Sequence, residues 1–460
     1  MNRRDFLLGT AAAGGVFGAA GWGLASATDR QQLTIQPARF AFRERPTEGL
    51  VSLSPDAPPP VLFGERGRPL RLRVSNGTPD YTAMHWHGLR IPNAMDGVPY
   101  LTQMPIAGGE SFEYEFTPPD AGTYWYHPHC MTMAQMAHGL TGVMVIKETE
   151  DPGFNGDQAI NLRDFRLDDE GAFLPYYTAR GAARAGTFGN VLTANWLQAP
   201  VYDHPAGGLV RLRVVNSDTT RIYKMHLSTE QARIIAWDGH PVEFELPLPS
   251  AEEPLLVGPG QRVDFAVQMP AGEGQTADLV AELPGRPART LAQLRSVGAN
   301  LARDMRELKP LPSNPVSRPD LANAEVHDFV FGWTPEGGPP NDGYCGSMGY
   351  SFWSINRTPW AGDAAKGTGP LAVLERGKSY VLRLRNESPN LHPIHLHGLA
   401  FIPIRSNLRK LPPLVTDTML LLKDEVAEIA LVADNPGDWA FHCHVIEHQK
   451  TGLAGYIRVT

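Results

Sequence analysis

The sequence has few cysteines, no long apolar run beyond its N-terminus, and no excess of basic charge. Three cysteines among 460 residues exclude a disulfide-rich scaffold, because at most one pair can close. A net charge of −8, with both signs interspersed, argues against a nucleic-acid partner, since phosphate binding needs a basic face. The chain is instead rich in turn-forming residues, with 46 glycines and 41 prolines. This composition favours many short strands, and the length suggests about two to four domains.

The N-terminal 27 residues resemble a bacterial export signal of the twin-arginine type. An arginine pair at residues 3–4 is followed by a weakly apolar run, rich in glycine and alanine, up to Leu24. Residues 25–27, Ala-Ser-Ala, then form a small-x-small cleavage site. The alternative is a transmembrane anchor, which the interrupting glycines and the cleavage motif disfavour. We expect a mature chain from Thr28, without a membrane span, in the periplasm or secreted.

One strand pattern occurs three times in the mature chain. In each copy, alternating apolar and polar residues end at an asparagine turn. The copies lie at residues 67–78, 208–217 and 377–388. A second alternating segment follows each of them. Three strand-rich units of about 144 residues each predict three β-sandwich domains.

The boundaries between these units are less sharply marked. We place the domains at residues 28–150, 151–308 and 309–460. The proline-rich stretch 309–320 reads as the linker to the third domain. Leucines at near-helical spacing within residues 291–308 predict a short helix before that linker.

Ten of the fifteen histidines fall into four tight clusters. The clusters are His85 and His87; His127 and His129; His392, His395 and His397; and His442, His444 and His448. Each contains a His-x-His pair, whose two imidazoles share one face of an extended strand. Eight buried imidazoles with no charge to bind would leave polar nitrogens unsatisfied. A metal cluster resolves this problem, because imidazole suits copper, zinc and iron.

Cys443 distinguishes among these metals. As the middle residue of a His-Cys-His triplet, it points away from both neighbours and can meet His392 and His448. Two histidines and one thiolate in a trigonal arrangement form a blue-copper electron-transfer site. The alternative, separate structural histidine sites, is disfavoured by the four clusters and the embedded cysteine.

These segments resemble the four signatures of the multicopper oxidases, a family that includes laccases and bacterial cuprous oxidases. The segments are HWHG at 85–88, HPH at 127–129, HPIHLHG at 392–398 and HCHVIEH at 442–448. The likeness covers nearly the whole mature chain. It implies an all-β fold of three consecutive cupredoxin-like Greek-key β-sandwich domains. The first and third domains would hold the copper, and the second would carry no copper ligand, serving as a spacer and part of the substrate surface.

The resemblance also implies four copper ions: one of type 1, one of type 2 and two of type 3. Carried over motif by motif, the type 1 ligands are His392, Cys443 and His448, and the type 2 ligands are His85 and His395. The type 3 ligands are His87, His127, His129, His397, His442 and His444. The type 2 and type 3 ions would form a trinuclear cluster between the first and third domains.

Further positions bear on proton supply and on the type 1 potential. Asp96 follows His85 by eleven residues, where similar bacterial proteins have a proton-relaying acid; an Asp-Gly turn is the alternative. Many bacterial relatives have a second proton-relaying acid just after the last type 1 histidine. Here that position is Gln449, and it stays open whether Glu447 takes over the role. Leu453 occupies the axial type 1 position, where methionine is common, and cannot coordinate copper.

Several residues carry weaker signals. Methionines within residues 131–136 are expected to pack in the core rather than to bind Cu(I). Ser388 lies where cuprous oxidases tend to carry an acidic ligand for substrate copper. Cys130 and Cys345 could form a disulfide or remain buried thiols. Asp417 is interpreted as a turn or structural acid.

The resemblance implies an exported laccase-like oxidase. Phenolic or similar donors would lose one electron at a time near His448, whose imidazole edge faces solvent in this family, and dioxygen would be reduced to water. Asp96, Cys443 and His448 are the candidate catalytic residues. The alternatives are a cuprous or other metal-ion oxidase in copper tolerance, and a non-catalytic envelope scaffold, which the complete ligand set disfavours. We expect dioxygen and a small-molecule or metal-ion donor as partners, and a monomeric protein.

Overall fold

The structure is a computed structural model that describes residues 30–335, 345, 348–360 and 369–460. The predicted export signal at residues 1–27 lies outside these residues. Within them, no helix combines the length and the apolar character needed to cross a bilayer.

In the described part of the chain, the strands form six sheets, two in each third of the sequence. The two sheets of each unit enclose a separate apolar core, so that each unit is a β-sandwich. The predicted all-β fold of three consecutive cupredoxin-like sandwiches is confirmed. The domain boundaries stay a prediction, although the strands of the three sandwiches lie within residues 31–147, 156–297 and 325–459.

The first sandwich consists of a sheet in the order β2-β1-β4-β6 packed on a sheet in the order β3-β8-β7-β5. Its strands are β1 (Gln31–Phe40), β2 (Thr47–Ser52), β3 (Leu62–Glu65), β4 (Leu70–Asn76), β5 (Met84–His87), β6 (Ser111–Phe116), β7 (Gly122–Pro128) and β8 (Gly142–Lys147). A 3₁₀ turn (Asn93–Met95) and the helix α1 (Thr132–Ala137) lie in its loops.

The second sandwich pairs the order β10-β9-β12-β17-β14-β15 with the order β11-β19-β18-β13-β16. Its strands are β9 (Gly156–Phe165), β10 (Val191–Ala194), β11 (Val201–Pro205), β12 (Leu209–Asn216), β13 (Tyr223–Leu227), β14 (Ala232–Trp237), β15 (His240–Pro241), β16 (Leu255–Val257), β17 (Arg262–Gln268), β18 (Thr276–Glu282) and β19 (Arg289–Val297). Helix α2 (Ala179–Ala182) also lies in this unit, and a 3₁₀ turn (Met305–Glu307) follows its last strand.

The third sandwich pairs the order β21-β20-β23-β27-β25 with the order β22-β29-β28-β24-β26. Its strands are β20 (Glu325–Trp333), β21 (Trp353–Ile355), β22 (Ala372–Leu374), β23 (Ser379–Asn386), β24 (His392–Leu396), β25 (Ile402–Ser406), β26 (Thr418–Leu421), β27 (Val426–Val432), β28 (Gly437–Cys443) and β29 (Ala454–Val459). Helix α3 (Ile446–Lys450) follows β28.

The repeated sequence pattern corresponds to a repeated topology. In each unit the strand that ends in asparagine (β4, β12 or β23) pairs in parallel with the first strand of the unit. On its other side it pairs antiparallel with the second repeated segment (β6, β17 or β27). Because the same three-strand arrangement recurs, the three units have the same basic architecture.

The three strand-ending asparagines, Asn76, Asn216 and Asn386, make equivalent hydrogen bonds. Each side-chain amide donates to a carbonyl four or five residues ahead and to a second carbonyl just before the next repeated segment. The second acceptors are the carbonyl oxygens of Ile106, Val257 and Leu422 at 2.8–2.9 Å. Each asparagine therefore joins the two repeated segments of its unit, which explains why all three copies of the pattern end in this residue.

The helix predicted within residues 291–308 is wrong, because residues 289–297 form strand β19 and only the 3₁₀ turn at residues 305–307 is helical. Pairing with β18 is interrupted by a β-bulge in β19 at Leu291, where the register shifts by one residue. The shift brings Leu291 and Leu294 into the same core although they are three residues apart. A bulged strand thus produced the spacing that indicated a helix.

A disulfide bond joins the first and third sandwiches between Cys130 and Cys345, whose Cα atoms are 4.4 Å apart. Both residues are buried in a small apolar cluster with Ala83. Of the two possibilities that the sequence left open, the structure has the disulfide. Cys443 is then the free thiol.

Replacing both Cys130 and Cys345 with serine should destabilise the protein by up to about 5 kcal/mol, because the bond closes a loop of 215 residues in the unfolded chain. Calorimetry should show a lower thermal midpoint for the double variant. In denaturant without reductant, thiol titration should find one reactive cysteine in the unmodified protein. Three reactive cysteines, or an unchanged midpoint in the variant, would contradict the bond.

Candidate metal centre

Two pairs of antiparallel strands supply most of the clustered histidines. In the first sandwich β5 lies beside β7, and His85 is directly opposite His127. In the third sandwich β24 lies beside β28, and His395 is directly opposite His442. Because side chains at i and i+2 share a face, each strand pair presents several imidazoles toward the same side.

The two sets of imidazoles meet between the first and third sandwiches. The rings of His85 and His397 stack with centroids 3.9 Å apart, and those of His87 and His395 stack at 3.7 Å. The eight predicted type 2 and type 3 histidines are all at most 3% exposed. The structure therefore brings all eight together in one buried cluster, as the sequence pattern predicts.

Many ring nitrogens of this cluster lack a hydrogen-bond partner within the described chain. They are Nε2 of His85, Nδ1 of His87, Nε2 of His127, Nδ1 of His129, Nε2 of His395 and both nitrogens of His444. The Nε2 atoms of His397 and His442 face each other at 3.0 Å. Buried nitrogens in this number would be costly without a ligand. Groups of three donor atoms within 4.8 Å of one another supply the geometry that metal ions need, and imidazole suits copper.

The opposite ring nitrogens are held by carbonyl and carboxylate oxygens. Nδ1 of His85 donates to the carbonyl of Asp96 at 2.7 Å, and Nδ1 of His395 donates to the carbonyl of Asp417 at 2.9 Å. Nδ1 of His397 donates to the Asp96 carboxylate at 2.8 Å. These contacts fix the tautomers and leave Nε2 as the free nitrogen on His85 and His395. Asp96 is buried within the cluster and is more than a surface turn residue.

Burial favours the neutral form of four histidines of the cluster, His127, His129, His442 and His444. It lowers the pKa values of His127, His129 and His444 well below that of free histidine, and neighbouring imidazoles lower them further. It also lowers the pKa of His442 to about 3. Neutral rings keep a nitrogen lone pair, so these four imidazoles have the protonation state that a metal requires.

The predicted type 1 ligands form a second, smaller group. Sγ of Cys443 lies 3.5 Å from Nδ1 of His392 and 3.6 Å from Nδ1 of His448, and the two nitrogens are 3.1 Å apart. All three residues are buried. Burial raises the pKa of the Cys443 thiol, so a bound metal has to displace its proton. Nε2 of His392 is held by the Ser388 hydroxyl at 2.8 Å, which leaves Nδ1 toward the sulfur.

The imidazole of His448 is covered, contrary to the expectation that its edge faces solvent. The side chain has no exposed surface, and its Nε2 donates to the carbonyl of Arg184 in the second sandwich. Glu447 anchors the same segment, since its carboxylate accepts hydrogen bonds from the Thr187 hydroxyl and from the amides of Thr187 and Thr178. A strap at residues 178–187, which the sequence gave no reason to expect, therefore closes over His448.

Glu447 and Gln449, on either side of His448, differ in orientation. Glu447 is turned toward the strap, and burial raises the pKa of its carboxyl group. Gln449 instead lies toward the cluster, with Nε2 3.5 Å from His129 Nε2. Glu447 is thus directed away from the position of the second relay acid. Leu453 is fully buried, and its carbonyl accepts a hydrogen bond from the Cys443 amide at 3.0 Å.

Asp417 belongs to the cluster, although the sequence suggested only a turn or structural acid. Its Oδ1 lies 3.1 Å from Nε2 of His87 and 3.3 Å from Nδ1 of His395. Burial would raise the pKa of this carboxyl group, but the Arg262 charge and the two histidines lower it well below the usual value. Asp417 is therefore an anion in direct contact with two predicted ligands.

Arg262 of β17 balances this charge from the second sandwich. Its two terminal nitrogens donate to the two oxygens of Asp417 at 2.8 and 2.7 Å. Its Nε donates to the carbonyl of Thr123 in the first sandwich at 3.2 Å, and the side chain is fully buried. The middle unit supplies none of the predicted ligands but supplies this counter-charge. The signal that the sequence offered for this counter-charge was an arginine at the start of an apolar strand.

Comparisons with known proteins match this arrangement. Two family models described as multicopper oxidase match residues 34–151 and 339–460. The multicopper oxidase MmcO of Mycobacterium tuberculosis is 29% identical, over 92% of this chain and 85% of that protein. Laccase-4 of Trametes villosa is 27% identical, over 86% of this chain and 83% of that protein.

A solved structure gives the same result. The multi-copper oxidase from Pseudomonas thermotolerans superposes with a TM-score of 0.84 and is 38% identical, and the match covers 94% of this chain and 99% of that one. Its likeness therefore extends over all three sandwiches. The chain belongs to the multicopper oxidase family, whose members are copper-containing oxidoreductases that use oxygen.

Proposed function

We propose that the protein is a laccase-like oxidase that takes single electrons from phenolic or similar donors and uses them to reduce dioxygen to water. The observation that carries this proposal is the position of Cys443. Its thiol lies between His392 and His448, while the adjacent residues His442 and His444 belong to the large cluster. One short stretch of covalent chain therefore links the site of donor oxidation with the site of oxygen reduction.

The histidine ligands would be divided as the family pattern implies. His392, Cys443 and His448 would hold the type 1 copper, and the two type 2 histidines, His85 and His395, each direct a free Nε2 into the cluster. The remaining six cluster histidines would hold the type 3 pair. Copper supplies reversible one-electron chemistry, and four ions together supply the four electrons that dioxygen needs.

Asp96 would deliver protons to the oxygen-reducing cluster. Its carboxylate accepts from His397 Nδ1 at 2.8 Å and lies 3.3 Å from Nδ1 of His85. A carboxylate at this distance can take up and release a proton without moving its neighbours. With Glu447 facing the strap, Asp96 is the acid that we assign to this role.

Two observations favour an organic donor over a metal ion. Ser388, at the position expected for a substrate-copper acid, is a buried hydroxyl held against His392. Met133 and Met136 are buried in an apolar core with Trp125, as predicted, and Met131 packs half-buried against the cluster around the disulfide. The relatives include both laccases and an iron transport multicopper oxidase, so the choice of donor class rests on these two observations. We further propose that the protein is exported by the twin-arginine route, on the basis of the motif at residues 3–4, and acts as a monomer.

Steady-state oxygen uptake tests the donor class. With copper-loaded protein, kcat/KM should be higher for a phenol than for Cu(I) or Fe(II). The Cys443→Ser variant should consume no oxygen with any of these donors, because the copper–thiolate site is lost. A preference for a metal ion would establish the competing function, and oxygen uptake by the serine variant would contradict the assignment of Cys443.

Replacing Leu453 with methionine should lower the reduction potential of the type 1 site, because a thioether would add the weak axial ligand that leucine lacks. The matched control is Leu453→Phe, which fills the position without a donor atom and should leave the potential unchanged. A redox titration of the blue absorption measures both. An unchanged midpoint in the methionine variant would remove Leu453 from the axial position.

The Asp96→Asn variant should lower turnover with saturating donor by about 100-fold, because the amide keeps the hydrogen bond from His397 but cannot carry a proton. Stopped-flow measurement should show that anaerobic reduction of the type 1 site is unaffected. Copper content measured on the same sample controls for loss of the metal. Normal turnover by a fully loaded variant would show that Asp96 relays no proton.

A further inference from the structure

The covered imidazole of His448 raises the question of where a donor makes contact. In the proposed function the donor passes its electron to the type 1 site, but His448 has no exposed surface and its outer nitrogen is bonded to the Arg184 carbonyl. His392 and Cys443 are likewise buried. A donor therefore cannot touch a ligand ring directly, and another group has to connect the site with the surface.

Trp353 of β21 packs against both histidines of this site. Its ring centroid is 4.7 Å from that of His448 and 5.1 Å from that of His392. The indole is fully buried, and its Nε1 donates to the carbonyl of Ala182 in the strap at 2.7 Å. Packing on one side and this hydrogen bond on the other fix the ring in contact with both ligands.

Trp333 of β20 continues this contact to the surface. It is the cross-strand neighbour of Trp353 in the antiparallel pair of β20 and β21. The two indoles stack with centroids 4.1 Å apart and an interplanar angle of 17°. Trp333 is 38% exposed, whereas Trp353 has no exposed surface. The pair thus forms an unbroken aromatic path from solvent to the rings of His392 and His448.

We propose that Trp333 is the surface contact for the donor and that the stacked pair Trp333–Trp353 passes its electron to the type 1 site. The proposal rests on the laccase-like function and names the residue through which it operates. Electronic coupling falls steeply with each gap between groups, and stacked rings in van der Waals contact leave no such gap. The exposed indole of Trp333 therefore gives the donor the contact that the covered imidazole of His448 does not.

The exposed indole also favours a particular class of donor. A flat aromatic surface binds planar phenols and arylamines by stacking. It offers no oxygen or sulfur ligand to a metal ion. The carboxylate of Glu387, which follows β23 at the same end of the sheet, is paired with Arg357 at 2.6 Å. We infer that electron-rich aromatic donors use this surface, including those too bulky to approach a recessed imidazole.

The electrons and protons of the proposed donor oxidation balance those of the family reaction. Each donor molecule is oxidised by one electron, and a phenol also releases its hydroxyl proton to water. Both tryptophans return to their starting state after each transfer. Four such transfers, with four protons, reduce one dioxygen to two waters.

Trp333→Ala tests this path, with Phe244→Ala as the matched control. Phe244 is 39% exposed on the second sandwich, outside the site described here. Anaerobic stopped-flow reduction of the blue absorption by a phenol should slow at least tenfold in the Trp333 variant and remain unchanged in the control. Copper content and type 1 potential should match the unmodified protein in both, since Trp333 touches no ligand.

A binding measurement on copper-free protein gives an independent readout. A phenol should quench tryptophan fluorescence saturably in the unmodified protein and in Phe244→Ala, but not in Trp333→Ala. Trp333→Phe retains a ring and should bind the phenol more tightly than the alanine variant. If a phenol still reduces the type 1 site at the full rate in a copper-loaded Trp333→Ala variant, the proposal is overturned. The donor would then make contact at the strap, beside the Arg184 carbonyl.

The donor class and the electron path can be tested separately. If phenols reduce the protein but Trp333→Ala has no effect, the laccase-like function stands and the path is wrong. If phenols do not react, a bulky ferrocene-type outer-sphere donor serves as the probe. The rate at which this donor reduces the type 1 site should still fall at least tenfold in Trp333→Ala. That result would reject phenols as the donor class but support the electron path, whereas an unchanged rate would reject both.

Discussion

The buried ion pair between Arg262 and Asp417 holds the cluster of ligands in place. Arg262 comes from the second sandwich, Asp417 from the third, and the same arginine also donates to a carbonyl of the first. Removing both charges from water is costly, and only complete hydrogen bonding offsets that cost. Because Asp417 also contacts His87 and His395, the pair sets the position at which the outer sandwiches face each other. A domain without predicted ligands is therefore part of the metal centre.

The two proposed copper sites are both buried, but different reactants have to reach them. The large cluster lies between sandwiches, with the carboxyl groups of Asp96 and Asp417 beside it. The smaller site lies within the third sandwich under a strap from the second, where Arg184 covers His448 and Trp353 bonds to Ala182. Oxygen and protons have to reach the first, whereas only electrons have to reach the second. In the proposed path a stacked pair of tryptophans suits that difference, because packed rings would pass electrons without opening a channel to water.

The local patterns of the sequence were sufficient for the fold and for the histidine clusters. Period-two alternation and repeated asparagines indicated three sandwiches, and His-x-His spacing indicated shared faces. Contacts between distant segments left no such pattern. Asp417 was interpreted as a structural acid because its partner Arg262 is 155 residues away. The strap over His448 and the stacking of Trp333 on Trp353 depend on how loops and strands meet, and a bulge in β19 imitated helical spacing.

Metal analysis of the purified, copper-loaded protein, combined with optical and electron spin resonance spectra of the same sample, tests the central claim. That claim is that His392, Cys443 and His448 hold one copper beside a cluster that holds three. We predict four coppers per chain, an intense blue thiolate band, and spin resonance from two ions, since the coupled pair is silent. Far fewer than four ions, or four ions without the blue band, would contradict the account.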